Sequence, residues 1–303
     1  MNKRDRSILK ALSADGIEVK VSRKLANLKS IAPTKVFYKT MEAKVYNDEY
    51  ESPLRVFLPR KTNMEQMKIL LYFHGGGWAT ESIDTYARAL HLLAYETDYA
   101  VVAVEYRLAP EHKYPVPLED CYAAAKALFT GELVPDIDPD RITVIGDSAG
   151  GNMAAVVALM ARDRGEFAVK NQILIYPATY LEYENPSFRS IYENGSDYIL
   201  TIGKIRDYVN LYLNNEDERK ERYVSPLKET DFSNQPRTMI ITAEFDPLRD
   251  EGEAYGKRLI NAGNEVEVYR LTDAIHGFFS LGVRSKHMRD SIELIKLFLK
   301  EEE

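Results

Sequence analysis

The chain has 303 residues, 45% of them hydrophobic and 29% charged, a composition that suits one or two globular domains and excludes disordered and fibrous proteins. The formal net charge of −7 argues against a nucleic-acid-binding protein, because such proteins usually present a concentrated basic face. The single cysteine, Cys121, excludes an internal disulfide and a Cys-x-x-Cys metal site. No apolar run has the length of a signal peptide or a membrane-spanning helix, so we expect a soluble, cytoplasmic protein.

In chain order, a charged segment with helical character precedes an antiparallel pair of strands over residues 43–47 and 53–59. Short apolar runs of buried-strand length then alternate with helical patterns. They predict six strands over residues 68–73, 99–105, 142–146, 172–176, 238–242 and 265–269, and five helices over residues 84–96, 118–130, 150–164, 252–261 and 288–300. The alternation predicts an α/β fold with a mostly parallel eight-stranded sheet and helices on both faces. Functional groups of such a sheet lie at the carboxyl ends of its strands.

Two segments do not follow this alternation. Residues 1–40 lie before the first strand, and residues 181–231 separate two core strands by a span too long for a plain loop. The second segment has a helical pattern over residues 202–213. We predict that both segments form one helical cap over the strand ends, and that residues 41–180 and 232–303 form the core. Tyrosines of the predicted cap are candidates either for the wall of a substrate pocket or for ordinary packing: Tyr180, Tyr183, Tyr192, Tyr198, Tyr208 and Tyr212.

The sharpest local signal is the sequence GDSAG at residues 146–150, which follows a predicted strand and opens a predicted helix. Gly-x-Ser-x-Gly in this context is typical of a nucleophile elbow, a tight turn that exposes the serine hydroxyl above the sheet. The glycines fit this interpretation because the turn leaves no room for side chains two positions before and after the serine. Ser148 is therefore the predicted nucleophile, and the helix N-terminus behind it favours negative charge nearby.

A serine nucleophile needs a base and an acid that orients the base. His276 follows the last predicted strand, where a strand-to-helix loop directs it towards Ser148, whereas the other four histidines lie at positions that suit other roles. Asp246 follows a predicted strand between the serine and the histidine, in the chain order that this kind of site requires. Its rivals, Asp250 and Glu251, are explained as favourable charges in the first turn of a helix. We predict Ser148, Asp246 and His276 as the catalytic residues.

The sequence HGGGW at residues 74–78 comes directly after a predicted strand. Three successive glycines let the backbone approach a substrate and present amide groups without obstruction by side chains. We predict that the amides of Gly76, Gly77 and Ala149 form an oxyanion hole, typically the largest electrostatic contribution to acyl transfer. The residues assigned to shaping the site or contacting the substrate are His74, Gly75, Trp78 and Asp147.

Together these motifs resemble those of the hormone-sensitive-lipase-like esterases, the bacterial family IV. The resemblance covers the core from about residue 68 to 280, and its motifs are HGGGW at 74–78, YRLAPEHKYP at 106–115, GDSAGGN at 146–152, DPLRDEG at 246–252 and IHGF at 275–278. The GDSAG motif resembles that of the bacterial subgroup of this family that includes acetyl esterases. The resemblance implies an α/β-hydrolase fold, a Ser–His–Asp triad, and a cap built from N-terminal helices and an insertion before the strand that carries the aspartate.

The predicted function is hydrolysis of short-chain, acetyl-like esters through an acyl-enzyme, without a metal or an organic cofactor. A small-molecule ester is expected because the predicted cap is charged and the sequence shows no secretion signal. An amide-cleaving deacetylase or formamidase of the same fold is an alternative, because the same triad serves both bonds. A ligand-binding receptor is a second alternative, although such relatives lack the histidine that stands here as His276. Family members often form homodimers through sheet edges or C-terminal helices, so the helix predicted over residues 288–300 is a candidate interface.

Overall fold

The structure is a computed structural model that describes residues 18–30, 40–47, 49–61, 67–183, 188–283 and 285–300. Its strands are β1 (Thr40–Asn47), β2 (Tyr50–Phe57), β3 (Ile69–Phe73), β4 (Ala100–Val104), β5 (Ile142–Asp147), β6 (Asn171–Ile175), β7 (Arg237–Phe245) and β8 (Val266–Ile275). The α-helices of the described residues are α1 (Val19–Ser30), α2 (Ile83–Thr97), α3 (Val116–Phe129), α4 (Ala149–Arg164), α5 (Arg189–Asn194), α6 (Ile202–Tyr212), α7 (Arg249–Asn261) and α8 (Lys286–Lys300).

The strands form one sheet in the order β1–β2–β4–β3–β5–β6–β7–β8. β2 pairs antiparallel with β1 and with β4, and every other neighbouring pair is parallel. The four central strands, β3 to β6, are five or six residues long and buried along their whole length. Continuous burial of this kind is expected of parallel strands that are covered on both faces. The predicted eight-stranded, mostly parallel sheet is therefore confirmed.

Helices cover both faces of the sheet and enclose two hydrophobic clusters. One cluster joins α3, α4 and α7 to one face, and the other joins α2 and α8 to the opposite face. Helix α4 lies against β3, β5 and β6, and its residues 149–161 are all buried. Five alanines and two glycines in this stretch let the helix approach the sheet closely, which brings the start of α4 directly beneath the carboxyl ends of the central strands.

The two segments that break the alternation contain helices in their described parts. Residues 188–231 contain α5, α6 and two short 3-10 turns, and the helix predicted over residues 202–213 is confirmed as α6. In the N-terminal segment the described residues form α1, which packs against α2. The remainder of the predicted N-terminal cap, apart from Glu18 before α1 and Thr40 at the start of β1, lies outside the described residues. Within the described ranges, none of the helices combines the length and apolar character needed to cross a membrane.

Candidate active site

Ser148 lies in a tight turn between the end of β5 and the start of α4. Its backbone has a φ of 55° and a ψ of −118°, a conformation that strains a residue with a Cβ and that is concentrated at functional sites. Two glycines make the turn feasible, because a Cβ on Gly146 would clash with the backbone of Gly150, and a Cβ on Gly150 would clash with the carbonyl group of Phe73. The amide of Ser148 donates to the carbonyl oxygen of Ile175 at 2.9 Å, which ties the turn to β6.

His276 joins Ser148 and Asp246 in one hydrogen-bonded chain. Its Nε2 lies 2.9 Å from Oγ of Ser148, and its Nδ1 lies 2.8 Å from Oδ2 of Asp246. Asp246 follows β7 and is fully buried, and its Oδ1 accepts a hydrogen bond from the amide of Leu248 at 2.8 Å. This arrangement suits an imidazole whose Nδ1–H donates to the carboxylate, which leaves Nε2 to accept the serine proton.

All five histidines lie in the described residues, and four of them lie away from the serine. His91 is on α2, His112 is in the loop after β4, and His287 is on α8. His74 is buried below the site, where its Nδ1 lies 2.8 Å from the carbonyl oxygen of Gly75. The structure thus brings to Ser148 the histidine that the sequence predicts.

Asp250 and Glu251, the rival acids, both lie in the first turn of α7. The interpretation of Glu251 as a favourable first-turn charge is nevertheless wrong. Its side chain is fully buried, and its Oε1 accepts hydrogen bonds from the amides of Thr179 (2.7 Å) and Tyr180 (3.1 Å) and from the hydroxyl of Tyr183 (3.1 Å). Burial raises the pKa of Glu251 well above its usual value, because the chain that follows β6 covers the start of α7 and excludes solvent.

The glycine-rich loop after β3 lies beside the serine. Gly76 and Gly77 have φ values of 109° and 58°, and the carbonyl oxygen of Gly76 accepts the amide of Thr80 at 2.9 Å. Gly76, Gly77 and Ala149 line the same cavity as Ser148. Since Ala149 is the first residue of α4, its amide belongs to the helix N-terminus, where backbone N–H groups lack partners within the helix.

The four residues predicted to shape the site occupy two levels. Trp78 and Asp147 line the cavity, and the Trp78 ring also stacks on Tyr212 of α6, with ring centres 4.6 Å apart. His74 and Gly75 lie beneath the cavity wall, and the amide of Gly75 donates to Oδ1 of Asp147 at 2.9 Å. The loop therefore exposes its later residues to the cavity and anchors its earlier ones below.

The cavity above Ser148 has a volume of about 430 Å³. Helices α1 and α6 form much of the wall that faces the serine, through Val21, Ser22, Ile205, Tyr208 and Val209. The tyrosines of the predicted cap divide between the two roles considered for them: Tyr183 and Tyr208 line the cavity, Tyr198 and Tyr212 are buried, Tyr180 is half-buried and Tyr192 is exposed.

The arrangement supplies the groups that acyl transfer requires. The hydroxyl of Ser148 and the imidazole of His276 lie at one cavity with Gly76, Gly77 and Ala149, and the buried carboxylate of Asp246 is bonded to the far side of the imidazole. In the part of the chain that the structure describes, no group of three or more His, Cys, Asp or Glu side chains is placed to hold a metal ion.

Residues 70–280 match the model of a protein family whose description is the alpha/beta hydrolase fold. The chain belongs to the α/β-hydrolase family. Two of its relatives are an arylesterase of Saccharolobus solfataricus and the carboxylesterase NlhH of Mycobacterium tuberculosis. The first is 37% identical over 243 residues, or 79% of this chain and 76% of that protein. The second is 35% identical over 277 residues, or 89% of this chain and 85% of that protein.

Solved esterase structures share the fold of this α/β hydrolase. The hyperthermophilic esterase of the archaeon Pyrobaculum calidifontis has a TM-score of 0.88 at 34% identity, covering 99% of this chain and 98% of that one. The thermostable carboxylesterase EstE1, from a metagenomic library, has a TM-score of 0.84 at 34% identity, covering 93% and 95%. The predicted α/β-hydrolase fold and the membership among hormone-sensitive-lipase-like esterases are confirmed, and the chain is an enzyme of this hydrolase class. The GDSAG subgroup stays a prediction.

Three tyrosines that surround Asp147 in this hydrolase are not predicted from the sequence. The hydroxyls of Tyr72, Tyr86 and Tyr176 all donate hydrogen bonds to its carboxylate. Burial raises the pKa of each tyrosine well above its usual value, and burial also raises the pKa of Asp147, against the effect of the bonds that it accepts. A signal was present in the sequence, because a tyrosine inside an aliphatic strand, as Tyr72 is, usually finds a polar partner when buried.

Proposed function

We propose that the chain hydrolyses carboxylic esters with short acyl groups, through an acyl-enzyme formed on Ser148. The observation that carries the proposal is the hydrogen-bonded chain of Asp246, His276 and Ser148, with separations of 2.8 Å and 2.9 Å, on the floor of a cavity. Geometry of this kind activates a hydroxyl that is a weak nucleophile by itself.

In the proposed reaction, Nε2 of His276 takes the proton of the Ser148 hydroxyl while Oγ attacks the carbonyl carbon of the ester. The carbonyl oxygen becomes an oxyanion and accepts hydrogen bonds from the amides of Gly76, Gly77 and Ala149. The imidazolium then gives its proton to the departing alcohol, which leaves an acyl group on the serine. Asp246 stabilises the imidazolium throughout.

Water completes the cycle by a second attack of the same kind, in which water is the nucleophile and Ser148 is the leaving group. His276 takes a proton from a water molecule, the resulting hydroxide attacks the acyl carbon, and the proton then returns to Oγ of Ser148 as the carboxylic acid leaves. The residues present therefore supply nucleophile, base, acid and oxyanion donors without a metal or an organic cofactor.

We further propose that residues 1–40 and 181–231 act as a cap on a core of residues 41–180 and 232–303, and that the cap limits the acyl group. Helices α1 and α6 lie on the wall that faces Ser148. The ring of Tyr208 lies so close to Gly77 that a Cβ there would clash with it, which leaves little room beside the glycine-rich loop. The proposed substrate is a small ester in the cytoplasm, and a homodimer stays a prediction.

The test is hydrolysis of nitrophenyl esters from acetate to palmitate by the wild-type protein and by Ser148→Ala. We expect the rate to be highest with short acyl chains, and kcat to fall about a million-fold in the variant because the nucleophile is lost. Ser196→Ala, which removes an exposed hydroxyl away from the cavity, should keep the wild-type rate.

Each alternative has its own outcome in this experiment. Full activity of Ser148→Ala would exclude the assigned nucleophile, and a preference for palmitate would exclude the short acyl group. If the folded wild-type protein hydrolysed none of the esters, the proposed ester substrate would be wrong, and amides would be tested next.

A further inference from the structure

The carboxylate of Asp147 is the centre of a buried cluster directly below the proposed oxyanion loop. Its Oδ1 accepts the hydroxyl of Tyr72 at 2.8 Å and the amide of Gly75 at 2.9 Å. Its Oδ2 accepts the hydroxyls of Tyr86 at 2.8 Å and Tyr176 at 3.2 Å. Four donors thus occupy the four lone-pair sites of an ionised carboxylate, and all three tyrosines and the aspartate are buried.

The cluster contacts the start of the glycine-rich loop. The Gly75 amide is bonded to Asp147, and a Cβ on Gly75 would lie only 2.7 Å from Oδ2 of Asp147 and 2.9 Å from the Tyr86 hydroxyl. Gly75 is therefore packed against the cluster with no free space between them. Since Gly76 and Gly77 follow immediately, the position of their amides depends on this anchor.

The cluster also contacts the loop that carries the histidine. The hydroxyl of Tyr176 accepts the amide of Phe279 at 3.2 Å while it donates to Asp147. The ring of Tyr176 packs against the imidazole of His276, with centres 4.7 Å apart, and against Phe278. One tyrosine thus joins the carboxylate to residues on both sides of Gly277.

The third part of the site is joined covalently, because Asp147 is the residue before Ser148. We propose that Asp147, Tyr72, Tyr86 and Tyr176 form a positioning unit that holds the oxyanion loop, the serine turn and the histidine loop in the mutual arrangement that catalysis needs. This inference rests on the proposed function, in which Ser148 and His276 carry the reaction.

Two physical effects make such a unit effective. Hydrogen bonds to an ionised acceptor are about twice as strong as neutral ones, so the cluster holds its loops more firmly than neutral side chains would. The tyrosine protons also offset the negative charge of Asp147, which lies beside the place where the oxyanion develops. A displacement of about 1 Å in a catalytic group costs about 100-fold in rate, so small movements of either loop are sufficient to impair turnover.

The test compares Tyr86→Phe, Tyr176→Phe and Asp147→Asn with Tyr122→Phe. The control also removes a tyrosine-to-carboxylate hydrogen bond, from Tyr122 to Glu166 at 2.7 Å, but on α3 and outside the cavity. We expect kcat for nitrophenyl butyrate to fall about 10- to 100-fold in the three cluster variants while KM changes little, because positioning of this kind acts on the transition state. Tyr122→Phe should keep the wild-type kcat.

A second measurement separates positioning from general stability. A trifluoromethyl ketone forms a reversible tetrahedral adduct with an active serine and mimics the transition state, so its inhibition constant should rise by the same factor as kcat/KM falls. In the double variant Tyr86→Phe/Tyr176→Phe, the loss should be smaller than the product of the single losses, because residues of one unit are not additive. If Asp147→Asn does not fold, the tyrosine variants, which each lack one oxygen atom, decide the question.

The outcomes distinguish this inference from the proposed function. Wild-type activity that disappears in Ser148→Ala, together with cluster variants that behave like Tyr122→Phe, would overturn the positioning unit alone. Lower melting temperatures with unchanged kcat and inhibitor affinity would also overturn it, because they indicate a purely structural role. Absence of ester hydrolysis in the wild-type protein would overturn the proposed function and this inference with it.

Discussion

The loops that carry Ser148, Asp246 and His276 are held differently from the helices that cover them. The three loops directly follow β5, β7 and β8 in the parallel part of the sheet, and a main-chain hydrogen bond fixes the Ser148 turn to β6. Helix α1 is held to the core by side-chain bonds from Arg23. Helix α6 is held by the stacking of Tyr212 on Trp78 and by the hydrogen bond from the amide of Tyr114 to the carbonyl oxygen of Tyr212.

This difference separates chemistry from access. Positions that depend on a parallel sheet tolerate little change, because its strands and helix α4 are packed throughout. The cavity wall depends largely on side chains that meet between distant segments, so we expect substitutions there to change which substrate fits before they change the reaction.

The largest effect is expected where the two regions meet, at the glycines of the proposed oxyanion loop. Gly76 has a φ of 109°, and a Cβ there would clash with the carbonyl oxygen of Thr80, part of the backbone of the core. A Cβ on Gly77 would instead clash with the ring of Tyr208, part of the covering helix α6. We expect Gly76→Ala to lower kcat about 100- to 1000-fold, as loss of an oxyanion donor does, and Gly77→Ala to be similarly impaired.

Adding Tyr208→Ala to each variant separates the two causes. It should restore much of kcat to Gly77→Ala, because the clashing ring is removed and the φ of 58° costs an alanine only about 1–2 kcal/mol. It should restore nothing to Gly76→Ala. The kcat of each double variant is compared with that of Tyr208→Ala alone. If Tyr208→Ala restored kcat equally in Gly76→Ala and Gly77→Ala, the two clashes would not divide between the core and the covering helix α6.

A smaller effect, on stability, is expected at Glu251, which joins the core helix α7 to the cavity residue Tyr183. Burial raises the pKa of Glu251 well above its value in the unfolded chain, against the effect of the three hydrogen bonds that its carboxylate accepts. Between these two values the folded state binds more protons than the unfolded state, so the free energy of unfolding falls as the pH rises. Each unit of pKa difference contributes about 1.4 kcal/mol.

Glu251→Gln should therefore lose less unfolding free energy than the wild-type protein as the pH rises above about 5, measured by urea denaturation. Glu166→Gln is the control, because its hydrogen bond to Lys126 lowers the pKa of Glu166 and places its contribution below this range. Asp147, whose pKa is also raised, contributes equally to all three proteins. Parallel pH profiles of Glu251→Gln and the wild-type protein would show that Glu251 does not gain a proton on folding.

The features that could be predicted from the sequence are those that neighbouring residues determine. Strands and helices follow from apolar periodicity, and the turn at residues 146–150 follows from its glycines. The fold can therefore be predicted from the sequence. The structure also brings Ser148, Asp246 and His276 together, because each stands just after a strand and the sheet gathers those ends. Their catalytic roles stay a proposal.

The features that sequence reasoning missed depend on contacts between distant residues. Glu251 looked like an ordinary first-turn charge because nothing near it shows that the chain after β6 would cover it. The tyrosines around Asp147 lie 29 to 75 positions from it in the chain. The position of Tyr72 in an aliphatic strand indicates a polar partner but does not show which one. Only the fold shows that they share one carboxylate.

The smallest effect is expected from Arg23, which fastens α1 to the core. Its guanidinium donates to the carbonyl oxygens of Ala79 and Ala109 at 2.8 Å each and pairs with the half-exposed Glu111 at 2.9 Å. Arg23→Ala should raise KM several-fold with little change in kcat, because Val21 of the same helix lines the cavity while the triad is anchored elsewhere. Partly exposed ion pairs contribute about 1 kcal/mol or less, so the free energy of unfolding should change little. The control is Arg141→Ala, which removes the exposed pair with Asp138 just before β5. A fall in kcat at constant KM would mean that α1 helps to hold the catalytic groups, and the separation of chemistry from access would then fail at this helix.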